Sequence, residues 1–129
     1  MDFLIVLLSG VLIGWLLDFF YKLFDRKKII LPRFINVQMY ALTGIFCYFL
    51  SLVHPSFFFV LPAIFVFTTG IEFLTGYIYL NIFGSIPWDY SRYRYNFKKI
   101  VCLNFSLCWL LVGLIYYYYI LPILLNFSF

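Results

Sequence analysis

The stretch FFFVLPAIFVFTTGIEFLTGYIYL, from Phe57 to Leu80, contains a single charged side chain, that of Glu72. A membrane hydrocarbon core of about 30 Å requires about 20 consecutive apolar residues in a helix. This stretch satisfies that requirement, and we therefore predict that it forms a transmembrane helix with one ionisable group inside it.

Outside this stretch, the chain repeats the same pattern. Three more windows are long and apolar enough to be spans: Phe3–Phe24, Phe34–Val53 and Ile100–Leu121. The mean hydropathy is +1.03 and only 11% of the residues are charged, against about 25% in a typical soluble domain. The sequence predicts an all-α polytopic membrane protein, a four-transmembrane-helix bundle, with residues 1–129 as a single membrane domain.

The first window has no basic segment before it and no Ala-x-Ala-like cleavage site, so we expect it to be retained and not removed as a signal peptide.

The basic residues indicate the topology. All nine lie in or beside the connection 25–33 and the connection 81–99. Because lysine and arginine concentrate in cytoplasmic loops, we expect both connections in the cytoplasm and both termini outside. A residue bias typical of AT-rich genomes favours the plasma membrane of a bacterium.

The net charge of +4 would also be compatible with nucleic-acid binding. Topology and contact with anionic lipid headgroups already account for these side chains, so we predict no nucleic-acid partner. The residues expected to contact headgroups are Arg92, Arg94, Lys98 and Lys99. The three cysteines show no metal-ligand spacing, and we predict neither a metal nor a cofactor.

Each predicted span carries one strongly polar side chain. At 1.5 Å per residue, Asp18 and Glu72 lie about 22 Å along spans that run inward. Gln38 and Asn104 lie about 6 Å along spans that run outward, which is a similar depth. We therefore predict a polar layer formed by Asp18, Gln38, Glu72 and Asn104.

Helical spacing predicts which way the first acid faces. Gly10, Gly14 and Asp18 are four residues apart, and small residues at this spacing let helix backbones approach closely. Asp18 is therefore expected to face another helix. A local ion pair with Lys22 is the alternative.

The third span has a similar pattern, in which Thr69 and Gly76 share a face with Glu72. No basic residue lies within one turn of Glu72 on its own helix. We expect its partner to be Gln38, Asn104, an arginine of the connection 81–99, or a proton.

The motif Trp88, Asp89, Tyr90 and Ser91 follows a helix break at Gly84–Pro87. Aromatic and basic residues partly alternate from Ser91 to Lys99, which indicates an irregular or extended segment on the cytoplasmic face. A simple aromatic and basic interface anchor is the alternative interpretation of the same composition.

A longer pattern contains this motif: Glu72-Phe73-Leu74-Thr75-Gly76, then Pro87-Trp88-Asp89-Tyr90-Ser91, then Asn96, Ile100, Leu103 and Trp109. It covers about residues 68–110 and resembles the ABC-transporter type IV (CmpB-like) family, which includes the transmembrane protein 229 proteins. Gly14-Trp15 and Asp18 resemble the family's first helix, with Asp where Glu is usual. Leu31-Pro32-Arg33-Phe34 departs from the family's pattern, and Lys98 and Lys99 stand where a glycine is expected.

The resemblance implies an association with transport. The sequence has no Gly-x4-Gly-Lys-Ser/Thr phosphate loop, so the chain cannot hydrolyse ATP through that motif. Our leading hypothesis is a transport-associated membrane subunit, not an enzyme, with the lipid bilayer and either a second copy or a membrane or ATPase subunit as partners. The alternatives are a lipid-binding or scaffolding protein, and a membrane-embedded enzyme that uses Asp18 and Glu72 as paired acids.

Overall fold

The computed structural model describes residues 2–26, 34–85, 88 and 90–126. Its helices are α1 (Asp2–Arg26), α2 (Phe34–Val53), α3 (Phe57–Phe83), α4 (Leu103–Ile115) and α5 (Leu121–Asn126). A π-helical turn, Tyr116–Ile120, joins α4 to α5 in one continuous helical run. Two short strands, β1 (Asn96–Phe97) and β2 (Val101–Cys102), precede α4.

Three helical runs among the described residues are long and apolar enough to cross a membrane: 2–20, 57–83 and 103–126. A further apolar helix, Val37–Val53, is shorter over its described side chains. The chain is therefore a multi-pass, nearly all-helical membrane protein, as the hydropathy predicts.

The chain forms two compact units. Unit 1 comprises Met1–His54 and Tyr116–Phe129, and unit 2 comprises Pro55–Ile115. The prediction of one membrane domain, made from the absence of any linker, stays a prediction.

Unit 1 is built on close packing of α1 against α2. The buried face of α1 is a stripe with a spacing of four: Val6, Gly10, Gly14 and Asp18. A Cβ atom on Gly10 would lie 3.0 Å from the Ala41 backbone, and one on Gly14 would collide with the Tyr40 side chain. The glycines therefore let the two helices meet, which confirms the face of α1 that the spacing predicts.

The π-helical turn places Tyr116 inside unit 1. Its side chain is buried, and its hydroxyl lies 2.8 Å from the Ser9 hydroxyl and packs over Gly44. Tyr118 and Tyr119, in the same turn, are 40% and 69% exposed. The run of four tyrosines lies near the end of the fourth predicted span, where an aromatic belt is expected. Tyr118 and Tyr119 are exposed enough to contribute to such a belt, whereas the buried Tyr116 is not.

Unit 2 packs α3 against α4. The buried stripe of α3 again has a spacing of four: Val60, Ile64, Thr68, Glu72 and Gly76. The Thr69 hydroxyl donates to the Ser106 hydroxyl at 2.9 Å, and Ile64 packs over Gly113. The helix ends at Phe83 and is capped by Gly84, whose N–H donates to the Leu80 carbonyl and whose left-handed φ of 74° suits a glycine.

Between α3 and α4, the described residues 90–102 fold back as a hairpin, and we call residues 88 and 90–102 the hairpin segment. Its strands β1 and β2 are antiparallel, with Asn96 opposite Cys102 and Phe97 opposite Val101. The fourth helix therefore begins at Leu103, three residues later than the predicted start at Ile100, because Val101 and Cys102 are paired as a strand.

Candidate functional site

The candidate site is centred on Glu72, which lies on the buried stripe of α3. Its side chain is only 3% exposed. It lies about 16 Å before the end of α3 at a rise of 1.5 Å per residue. An ionisable group buried within a membrane-spanning helix is costly, and it commonly marks a functional site.

Each oxygen of the Glu72 carboxyl group accepts one hydrogen bond. The Tyr90 hydroxyl donates to Oε1 at 2.5 Å, and the Trp109 indole N–H donates to Oε2 at 3.1 Å. One donor comes from the hairpin segment and the other from α4. The carboxyl group therefore links the hairpin segment to both helices of unit 2.

Aromatic rings surround this linkage. The Tyr90 ring stacks on Phe105 at a centroid distance of 4.9 Å and an angle of 15°. Tyr93 meets Phe105 edge to face at 5.4 Å. These contacts position the Tyr90 ring independently of its hydroxyl. The hydroxyl is therefore already in place to donate its hydrogen bond to Glu72.

A glycine on α3 makes room for the hairpin segment. A Cβ atom on Gly76 would lie 2.5 Å from Ile100 Cγ2 and 3.1 Å from Trp88 Cζ2. The Trp88 indole N–H donates to the Ile100 carbonyl at 2.6 Å. Gly76 therefore accommodates both side chains one helical turn after Glu72, and the hairpin segment reaches the carboxyl group from there.

The turn of the hairpin has an unusual backbone. Lys98 and Lys99 have φ values of 53° and 63°, a left-handed conformation that favours glycine. Asn96 supports this turn, because its amide N–H donates to the Tyr93 carbonyl at 2.6 Å and its oxygen accepts from the Lys99 N–H at 3.1 Å. The glycine that the family resemblance leads us to expect before Ile100 would fit this backbone.

The remaining predicted residues of the motif occupy different positions. Trp88 is half-buried, Tyr90 is buried and Ser91 is exposed, while Asp89 lies outside the described residues. The four residues predicted to contact headgroups are all exposed: Arg92, Arg94, Lys98 and Lys99. The segment is irregular apart from its two short strands, as the sequence pattern indicates.

The predicted polar layer is only partly matched by burial. Asp18 is 7% exposed and Gln38 is half-buried, and both belong to unit 1. In unit 2, Glu72 is buried but Asn104 is exposed. Asn104 lies in the first turn of α4 because that helix starts later than predicted, and the indole of Trp109 is the α4 group that contacts Glu72.

The donors to Glu72 were not predicted as its partners. Tyr90 lies in the predicted motif, but its hydroxyl reaches Glu72 only because the hairpin segment folds back along α3. Trp109 is three residues after Ser106, the α4 residue whose hydroxyl bonds Thr69. Residues three apart share a helix face, so Trp109 lies on the α4 face that meets α3. This spacing from Ser106 is the sequence feature from which a contact between Trp109 and α3 could have been predicted.

Together, the membrane-spanning helices and the buried carboxyl group linked to a hairpin define a multi-pass helical membrane protein with an ionisable site inside unit 2. Residues 5–129 match the family described as "Putative ABC-transporter type IV", and the chain belongs to that family. The match covers nearly the whole chain, so it confirms and extends the resemblance found over residues 68–110. No solved structure matches the chain.

Proposed function

We propose that this chain is a transport-associated membrane subunit and that Glu72 with its two donors is its working site. The observation that carries the proposal is the buried carboxyl group, which accepts hydrogen bonds from the uncharged Tyr90 and Trp109 side chains. A purely structural contact between helices needs no ionisable group, and burying one costs free energy. The family name supports an association with an ABC transporter.

The two donors lie on different elements, so withdrawal of Tyr90, together with loss of its stacking contact with Phe105, would leave Trp109 in place. Trp109 lies within α4, where the helical backbone holds it, whereas Tyr90 lies in the irregular hairpin segment. Movement of the hairpin segment would free Oε1 while Oε2 keeps its hydrogen bond. A carboxyl group exposed in this way can bind a proton or a cation, which is the chemistry that intramembrane acids supply in transporters.

The proposal assigns ATP hydrolysis to another polypeptide, because the sequence contains no phosphate loop. It also assigns no catalytic step to Glu72, whose two oxygens are both hydrogen-bond acceptors in unit 2. The predicted orientation, with the connections 25–33 and 81–99 in the cytoplasm, would place the hairpin segment on the side where an ATPase subunit binds its nucleotide.

Affinity purification from native membranes in a mild detergent tests the proposal. The wild-type chain is expected to copurify with a stable partner, either a second copy or a membrane or ATPase subunit. Glu72→Gln and Glu72→Ala are expected to lose that partner while the chain itself is still recovered. Asn104→Ala, which alters an exposed side chain of the same unit, is the matched control and should retain it. Recovery of the same partner-free monomer from the wild type and the Glu72 variants would contradict the proposal.

A further inference from the structure

Helix length places the hairpin segment near the membrane boundary. A core of about 30 Å is spanned by about 20 helical residues, and 20 residues counted from the start of α3 at Phe57 end near Gly76. The hairpin segment contacts α3 at this level: Trp88 and Ile100 pack over Gly76, and the Phe97 ring lies 5.6 Å from the Phe73 ring. By this count, the remainder of α3, to Phe83, would continue beyond the hydrocarbon.

At that depth the hairpin segment presents a cationic face. We use this term for the exposed side chains of Arg92, Arg94, Lys98 and Lys99. The only acidic residue in residues 84–102 is Asp89, so four cations outnumber one acid. The face is therefore positively charged where lipid phosphates are found.

Exposed aromatic rings accompany the cations. Tyr95 and Phe97 are 60% and 57% exposed, which would be unfavourable for Phe97 in bulk water but suits the boundary between hydrocarbon and headgroups. Arg94 lies 5.4 Å from the Tyr95 ring centroid, and Lys98 lies 5.6 Å from that of Phe97. Each ring holds its neighbouring cation beside it, while the exposed charge can still meet an anion.

We propose that the cationic face binds the phosphate groups of anionic phospholipids in the surrounding bilayer. The depth of the segment and its exposed rings favour a lipid over an acidic protein. A lipid offers a phosphate to the cations and hydrocarbon to Tyr95 and Phe97 at the same time, whereas a soluble acidic partner would need a separate apolar surface for the two rings. The inference does not depend on transport, since it uses neither Glu72 nor a partner subunit. It gives these four residues a ligand class, the phosphodiester of an anionic lipid headgroup.

Spin-labelled lipids test this proposal directly. The protein is reconstituted in vesicles of phosphatidylcholine with a minor fraction of phosphatidylglycerol, and electron paramagnetic resonance measures the motionally restricted fraction of each labelled lipid. For a lipid whose phosphate contacts one of the four cations, we expect phosphatidylglycerol to be preferred over phosphatidylcholine roughly five-fold, the factor given by about 1 kcal/mol for one cation near an anionic surface.

The quadruple variant Arg92→Gln, Arg94→Gln, Lys98→Gln and Lys99→Gln should abolish the preference. The double variant Arg92→Lys and Arg94→Lys retains the charge and should keep most of it. An unchanged thermal transition in the quadruple variant would show that the hairpin segment is intact. Equal restriction of both lipids by the wild type would overturn the proposal, as would a preference that survives in the quadruple variant. An acidic partner protein that binds the wild type but not the quadruple variant, with no lipid preference in either, would assign the face to a protein instead.

Discussion

Removing the Tyr90 hydroxyl tests the hydrogen bond that links the hairpin segment to α3. Tyr90→Phe keeps the ring, whose stacking on Phe105 at 4.9 Å does not involve the hydroxyl. The change therefore removes the donor that lies 2.5 Å from Glu72 Oε1. That oxygen stays buried but loses this hydrogen bond. Hydrogen bonds to charged groups contribute about 1.5–3 kcal/mol, and we expect the free energy of unfolding to fall by about that amount.

A double-mutant cycle isolates the interaction. The wild type, Tyr90→Phe, Glu72→Gln and the double variant are unfolded in mixed micelles with increasing dodecyl sulfate, and helical circular dichroism reports the transition. Glu72→Gln should also destabilise, because its neutral amide can replace the charge-assisted hydrogen bonds from Tyr90 and Trp109 only with weaker neutral ones. Since the two side chains touch, we expect a coupling free energy of about 1–2 kcal/mol.

Tyr93→Phe is the matched control for this cycle. Tyr93 lies in the same segment and also contacts Phe105, but its hydroxyl accepts a hydrogen bond from Arg92 at an exposed position. The free energy of unfolding of this control should change by no more than about 0.5 kcal/mol. Tyr90→Phe with an effect no larger than that of Tyr93→Phe would refute the reasoning, and so would a coupling free energy near zero.

Four further substitutions have expected outcomes in the same unfolding assay. Gly76→Ala should destabilise by about 1–3 kcal/mol because its Cβ would collide with a side chain of the hairpin segment. Gly70→Ala, where nothing lies within 4 Å of the added Cβ, should instead stabilise by about 0.5–1 kcal/mol through helix propensity; equal effects at the two glycines would contradict this packing. Lys99→Gly should stabilise by about 0.5–1 kcal/mol because φ is 63° there, and a loss of stability would show that the turn adopts another conformation. Tyr116→Phe should lower the free energy of unfolding by about 1 kcal/mol, because it removes the hydrogen bond with Ser9. In a protein that already carries Ser9→Ala, Tyr116→Phe should have no further effect. If the effects of the two substitutions simply add, that hydrogen bond is ruled out.

The helices and their buried faces could be predicted from the sequence. Long apolar windows define the spans, and residues four apart share a face. This periodicity placed Gly14 beside Asp18 and Gly76 beside Glu72, and both pairs are buried. The prediction succeeded because helix geometry is local and requires no knowledge of neighbouring chain segments.

The partners of Glu72 could not be predicted in the same way. The bond to Tyr90 depends on a hairpin that folds back along α3, and its turn carries Lys98 and Lys99 where a local turn signal would be glycine or asparagine. The late start of α4 has the same origin, because pairing of Val101 with Phe97 prevails over the apolar character of Ile100–Cys102. Contacts between segments distant in sequence therefore decided the site.

The most direct test of the central claim uses the fact that Glu72 is the only glutamate in the chain. Protein with a 13C-labelled glutamate carboxyl group and 15N-labelled tryptophan indoles, reconstituted in lipid, allows solid-state NMR to measure dipolar coupling between the two labels. The 3.1 Å hydrogen bond from Trp109 predicts a carbon–nitrogen distance of about 4 Å, lost in Trp109→Phe and kept in Trp88→Phe. Absence of coupling in the wild type would show that Trp109 does not hold the carboxyl group and would contradict the proposed site at Glu72.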